Sequence, residues 1–331
     1  MAYISYAIQA FKITAFCLFV TYLCKVIGAS DQVLLVSFYT AVLTAMATFS
    51  VKKKRLTHLV LGGTVVVESL LIGSVIGFYY PIGAQFLAIV YASLAFYLPK
   101  KQYQTDIFVM GALTFFIFAI LPFSVVDAVT YAPYCMGVIA IFMIFHLIFR
   151  VRRKTEMEEE EISQLDARRN CITAIITFVA LSLSWLIGVY LSLYYDVPQM
   201  YWIELTALVV IQGTRGAQNI IHTSLKRMLA CTIAAVILIF LFHHIIPMLF
   251  FWNVAVLTIF LFFVFFFQFT YLWQVVFSEL FVLAITYILG DHQENILFLR
   301  VVLTVIGGTI VIITTPIINY AFGLLDRKNQ S

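Results

Sequence analysis

Four ionisable side chains stand inside stretches that are otherwise apolar: Glu68, Glu204, Glu279 and Arg300. Placing such a group at the centre of a membrane helix costs about 2.5–3.5 kcal/mol on insertion scales, so each needs a chemical reason to be there. Glu68 shares a helical face with Thr64, four residues earlier, and Glu279 with Thr286, seven later, so each could line a polar path for protons. The structural alternative is a buried neutral carboxyl bonded to one neighbour. Arg300 shares a face with Thr304 and Gly307. Its guanidinium could pair with Glu204 or meet the carboxylate of a solute, because its fork of donors matches carboxylate geometry.

A second constellation lies between two apolar stretches. The segment from Glu204 to Ala235 places Gly213, Thr214, Arg215, Gly216, Gln218, Asn219, His222, Lys226 and Arg227 in one short connector. One reading is a cytoplasmic turn carrying positive-inside charge. The other is irregular backbone and cations lining a cavity for an anionic solute. On that reading Arg215, Asn219, Arg227 and Arg300 bind the substrate, while Glu68, Glu204 and Glu279 serve proton coupling.

Enzyme chemistry finds no support in the sequence. There is no H-E-x-x-H, no G-x-S-x-G and no Walker A pattern. The cysteines Cys17, Cys24, Cys135, Cys171 and Cys231 have no metal-ligand spacing and fall in or beside apolar stretches, where they read as small packing residues. No cofactor and no metal is expected, and the net charge of +4 gives no sign of nucleic acid as a partner.

The elements that must position these groups follow from composition. The 331 residues are 63% hydrophobic and 11% charged, more apolar surface than a soluble core buries. Runs of about 20 apolar residues recur along the chain, the length that crosses a bilayer. We therefore expect an all-α polytopic membrane protein of about twelve spans. Lys52 to Arg55, Lys100 with Lys101, Arg150 to Lys154, Arg215 to Arg227, and Arg327 with Lys328 all fall on one side of such a count. The opposite turns, near Asp31, Tyr80, Asp127, Asp196, His243 and Asp291, hold no Lys or Arg between spans. The positive-inside rule makes the first side cytoplasmic, with both termini there and the protein in the inner (plasma) membrane.

The chain reads as a first membrane half at 1–149, a charged cytoplasmic linker at 150–170 and a second half at 171–331. Thr40-Ala41-Val42-Leu43 is echoed by Thr206-Ala207-Leu208-Val209, and Pro81 by Pro247. Six spans per half give both halves one orientation, a parallel repeat. Gly62-Gly63-Thr64 and Gly307-Gly308-Thr309 form a further echo, read first as close helix packing.

The pattern Thr206, Ala207, Val210, Gln212, followed by Arg227, Ala230, Cys231 and Ala234, resembles the fusaric acid resistance (FUSC-like) family, which includes aromatic carboxylic acid exporters. In that family the second part reads R-x-x-G-T-x-x-G; here Ala230 and Ala234 replace the glycines and Cys231 the threonine. The resemblance implies a secondary transporter that exports small organic anions of the aromatic acid type, driven by the proton gradient. Its partners would be the bilayer, the anion and protons, with a homo-oligomer or accessory export subunits left open. Family exporters often carry a soluble domain after the first half, where this chain has only the short linker. Plant malate-type anion channels share a similar half, so a passive anion channel is the second expectation. A membrane scaffold subunit without transport is the third.

The charge pattern predicts that Ser163, in the linker, faces the cytoplasm. In a Cys-free Ser163→Cys variant, labelling should require a membrane-permeant thiol reagent. Labelling of intact cells by an impermeant reagent would reverse the topology.

Overall fold

The computed structural model describes residues 2–49, 56–99, 101–148, 164–197, 200–212, 220–244, 250–267, 270–289 and 294–329. Among them it forms helices and no β-sheet: α1 (Ala2–Val26), α2 (Asp31–Phe49), α3 (Leu56–Tyr79), α4 (Pro81–Tyr97), α5 (Gln102–Ile120), α6 (Val125–Ile148), α7 (Gln164–Tyr195), α8 (Tyr201–Gln212), α9 (Ile220–His244), α10 (Phe250–Phe266), α11 (Tyr271–Leu289) and α12 (Glu294–Asn329). Seven of the twelve are long and apolar enough to cross a bilayer, and α2, α4, α8, α10 and α11 carry shorter apolar stretches. The protein is a multi-pass helical membrane protein. Helix α7 begins at Gln164, ahead of the Cys171 expected from hydropathy, so the end of the charged linker is helical. Polar residues such as Arg168 and Arg169 extend a helix past its apolar run at no penalty, because they stay exposed.

The short turns are built from specific residues. Helix α1 ends at Gly28, whose φ of 71° is one that glycine adopts without a Cβ penalty. There Gly28 N–H donates to the Lys25 carbonyl and Ala29 N–H to that of Cys24, a Schellman ending that satisfies two orphan carbonyls. Ser124 and Asp127 cap α6 reciprocally. The Ser124 N–H donates to Asp127 Oδ2 at 3.2 Å, and the Asp127 N–H to Ser124 Oγ at 3.2 Å. Pro81 opens α4, at a position where its missing N–H costs nothing. Asp127 thus serves as a helix start, and Asp31 stands in the first turn of α2.

The chain folds as two compact units, Phe16–Trp185 with Pro316–Ser331, and Met1–Ala15 with Leu186–Thr315. In the first, α3 is central and packs against α2, α4, α5 and α6. Its glycines permit this. A Cβ on Gly73 would lie 2.7 Å from the Phe115 carbonyl oxygen, and one on Gly77 would collide with the Ala119 backbone of α5. Gly63 lies against Ile139 of α6, so packing accounts for it. In the second unit α9 and α10 pack against α11, and α8 against α9. The pairing of α3 and α4 on α5 recurs there as α9 and α10 on α11.

Gly77 and Gly137 separate close packing from helix propensity. Gly77→Ala should destabilise the detergent-purified protein by about 1–3 kcal/mol through overpacking. Gly137, within α6, has nothing within 4 Å of an added Cβ. Gly137→Ala should be neutral or stabilising by up to about 1 kcal/mol. Equal thermal shifts for the two variants would show that the α3–α5 contact is not close.

Candidate anion site

Helices α9, α11 and α12 each bring one charged residue to a single point in the second unit. Glu279 sits between two guanidiniums: its Oε1 accepts from Arg227 Nη2, and its Oε2 accepts from Arg300 Nη2 at 3.2 Å. All three are withdrawn from the surface, with 5% of Arg227, 1% of Glu279 and 2% of Arg300 exposed. Arg227 lies seven residues into α9, about 10 Å along its axis at 1.5 Å per residue. Its ion pair with Glu279 gives Arg227 a buried structural partner in addition to its place near the basic connector.

Aromatic and small residues support the charges. The Arg300 Cζ lies 3.6 Å from the centre of the Trp202 ring, a desolvated cation–π contact of about 2 kcal/mol. The Tyr271 hydroxyl, at the start of α11, is buried beside Arg227 and within electrostatic reach of Glu279. One turn beyond Arg227 and Arg300, Cys231 Sγ and Thr304 Oγ1 lie 3.5 Å apart. Ala230 and Ala234, which stand where the family pattern has glycine, are fully buried. Further along α12, a Cβ on Gly307 would come within 2.5 Å of the Ile203 carbonyl oxygen, and one on Gly308 within 2.8 Å of Ser224 Oγ. Ser224 Oγ also donates to the Gly308 carbonyl at 2.9 Å. These two glycines let α12 lie directly on α8 and α9, which brings Arg300 to Glu279.

The cluster is over-supplied with donors. Arg227 Nε, Arg300 Nε and Arg300 Nη1 are buried and have no hydrogen-bond partner among the described residues. Buried guanidinium N–H groups left in that state are costly, and they are donors with capacity for an acceptor.

The expected site residues divide. Arg227, Glu279 and Arg300 come together. The carboxylate that Arg300 meets is Glu279, not Glu204. Glu204 is buried in α8, with Oε2 unpartnered among the described residues, and its Oε1 lies 3.9 Å from the place of a Cβ on Gly188 of α7. Residues 202 and 204 are two apart on one helix and therefore point to different sides, Trp202 to Arg300 and Glu204 to α7. Glu68 belongs to the other unit and is exposed on α3, with Tyr91 of α4 in its electrostatic reach, so the expectation of a buried carboxyl fails there. Arg215 and Asn219 lie outside the described residues, as does the side chain of Thr286.

The comparisons with known proteins address this same region. Residues 183–314 match the family described as fusaric acid resistance protein-like. The matched segment contains Trp202, Glu204, Arg227, Tyr271, Glu279 and Arg300, and bears out the resemblance carried by Thr206 to Ala234. No curated protein and no solved structure matches the chain. Trp202 and Tyr271 went unread in the sequence. The one available signal was that an arginine buried in an apolar helix needs an aromatic or anionic neighbour, and aromatic residues are too frequent here, at 16%, to single one out.

Breaking the cluster should be asymmetric. Arg227→Met leaves a balanced Arg300–Glu279 pair, whereas Glu279→Met leaves two uncompensated buried cations. Glu279→Met should lose at least about 3–5 kcal/mol, and Arg227→Met distinctly less. Denaturant unfolding of the purified protein in detergent measures both, and equal losses would mean the cluster is not the buried unit described.

Proposed function

We propose that the protein is a secondary transporter that exports small organic anions of the aromatic carboxylic acid type, driven by the proton gradient. The observation that carries this reading is the buried cluster of two arginines and one glutamate, with three guanidinium N–H groups unpartnered among the described residues. A guanidinium edge in a desolvated site is a strong receptor for a carboxylate. The fusaric acid resistance-like match over 183–314 supports the same class of function. On this reading the twelve helices span the inner membrane as two parallel six-helix halves with cytoplasmic termini, and Arg215 and Asn219 lie at the cytoplasmic mouth. No enzymatic step is required.

The proton step is assigned to Glu204. Both oxygens of Glu279 are engaged by guanidiniums, while Glu204 is buried with one oxygen unpartnered among the described residues. A carboxyl in that position can gain and lose a proton without breaking an ion pair.

Reconstitution in proteoliposomes tests the reading. Benzoate should move against its gradient when a pH gradient is imposed. Arg300→Gln, at equal inserted protein, should cut the flux at least about tenfold, a loss of about 1.4 kcal/mol in effective binding. Glu204→Gln should keep downhill benzoate flux and lose its dependence on the pH gradient. Downhill flux without proton coupling in the wild type would identify a passive anion channel, and no flux of any organic anion would leave a scaffold role.

A further inference from the structure

The charge of the buried cluster is countable, and it is not zero. Arg227 and Arg300 contribute two positive charges and Glu279 one negative, so 2 − 1 leaves one positive charge. Nothing else among the described groups around Glu279 alters the count. From α9 the facing titratable groups are Arg227 and Cys231, from α12 Arg300, on α11 itself Tyr271, and from α8 Tyr201 beside Arg300, a phenol that is neutral at physiological pH. Helix α10, packed on α11, carries no titratable side chain. Glu204, on α8, faces Gly188 of α7, and the ion pairs of both arginines go to Glu279.

We infer that Glu279 is a specificity-determining residue: as the fixed counter-ion of the two arginines, it sets the capacity of the site at one negative charge and so selects monocarboxylates over dicarboxylates. The inference rests on the reading of the cluster as the anion site. One incoming carboxylate neutralises the cluster and meets the unpartnered donors, Arg300 Nε and Nη1 and Arg227 Nε. The Tyr271 hydroxyl offers a fourth donor close to Arg227. A second carboxylate on the same molecule would bring an uncompensated charge into a desolvated site, where like charges repel strongly. Glu279 stays in place throughout, because its two oxygens hold the guanidiniums in the orientation that leaves those donors unengaged.

The test compares phthalate, a dianion at slightly alkaline pH, with monomethyl phthalate, which has the same ring and one charge fewer. Uptake into proteoliposomes of the full-length protein is measured for each. The wild type should favour the monoester by at least about tenfold. Glu279→Gln raises the cluster to two positive charges, and the preference should vanish or reverse. In the double variant Glu279→Gln with Arg227→Gln the count returns to one positive charge, and the monoester preference should return. A purely structural role for Glu279 would not be rescued by removing its partner. The double variant also serves if Glu279→Gln alone fails to insert, since it lacks the unpaired second cation. An unchanged ratio in Glu279→Gln, or a double variant without monoester preference, overturns the inference while leaving anion transport intact. Absence of uptake of either compound by the wild type overturns the transport reading instead.

Discussion

The second unit depends on one carboxylate. Glu279 is the single negative charge between Arg227 and Arg300, and without it two cations would face each other in a space that excludes water. Burying an ion pair recovers its desolvation cost only when geometry and hydrogen bonds are good. Here the three residues come from three helices, α9, α11 and α12, so the ion pairs also set how those helices register against one another. The glycines of α12 follow from that requirement. Arg300 can reach Glu279 because Gly307 and Gly308 allow α12 to settle on the backbone of α8 and the side chains of α9.

The two units share a packing scheme and differ in chemistry. The third and fourth helices lie on the fifth, and the ninth and tenth on the eleventh. In the first unit the seventh residue of α6, Tyr131, donates its hydroxyl to Gln32 of α2 at 2.8 Å. In the second, the seventh residue of α12, Arg300, stacks on Trp202 of α8. A neutral hydrogen bond in one unit stands where the other has a buried cation. The family match at 183–314 falls on the charged unit.

Much of the helix layout was legible because hydropathy and capping residues agree. Leu56–Tyr79 and Tyr271–Leu289 begin where the apolar runs begin, after a basic cluster and after Thr270. Glu279 and Arg300 were identifiable as candidates, since a charge within an apolar helix is conspicuous, and Arg227 as one cation of the basic connector. Their convergence was not legible. Arg227 and Glu279 are 52 residues apart, and periodicity within one helix says nothing about which face of another it meets. The same limit explains Glu204. Its depth in α8 was readable, but the turn of the helix that points it at Gly188 and away from Arg300 was not. Glu68 shows the converse: mid-span position alone does not imply burial.

The order of the charges along the chain bears on how the protein is made. Arg227 is synthesised first, Glu279 next and Arg300 last. Each alone in lipid carries a penalty of about 2.5–3.5 kcal/mol, which the apolar remainder of its helix must outweigh until the partner arrives. Helix α9 therefore reaches its final environment only after α11 has left the ribosome, and α12 completes the balance. Charge balance in this unit is thereby completed over more than 70 residues (Arg227 to Arg300 is 300 − 227 = 73). A nascent chain truncated between α9 and α11 would hold an arginine with no counter-ion.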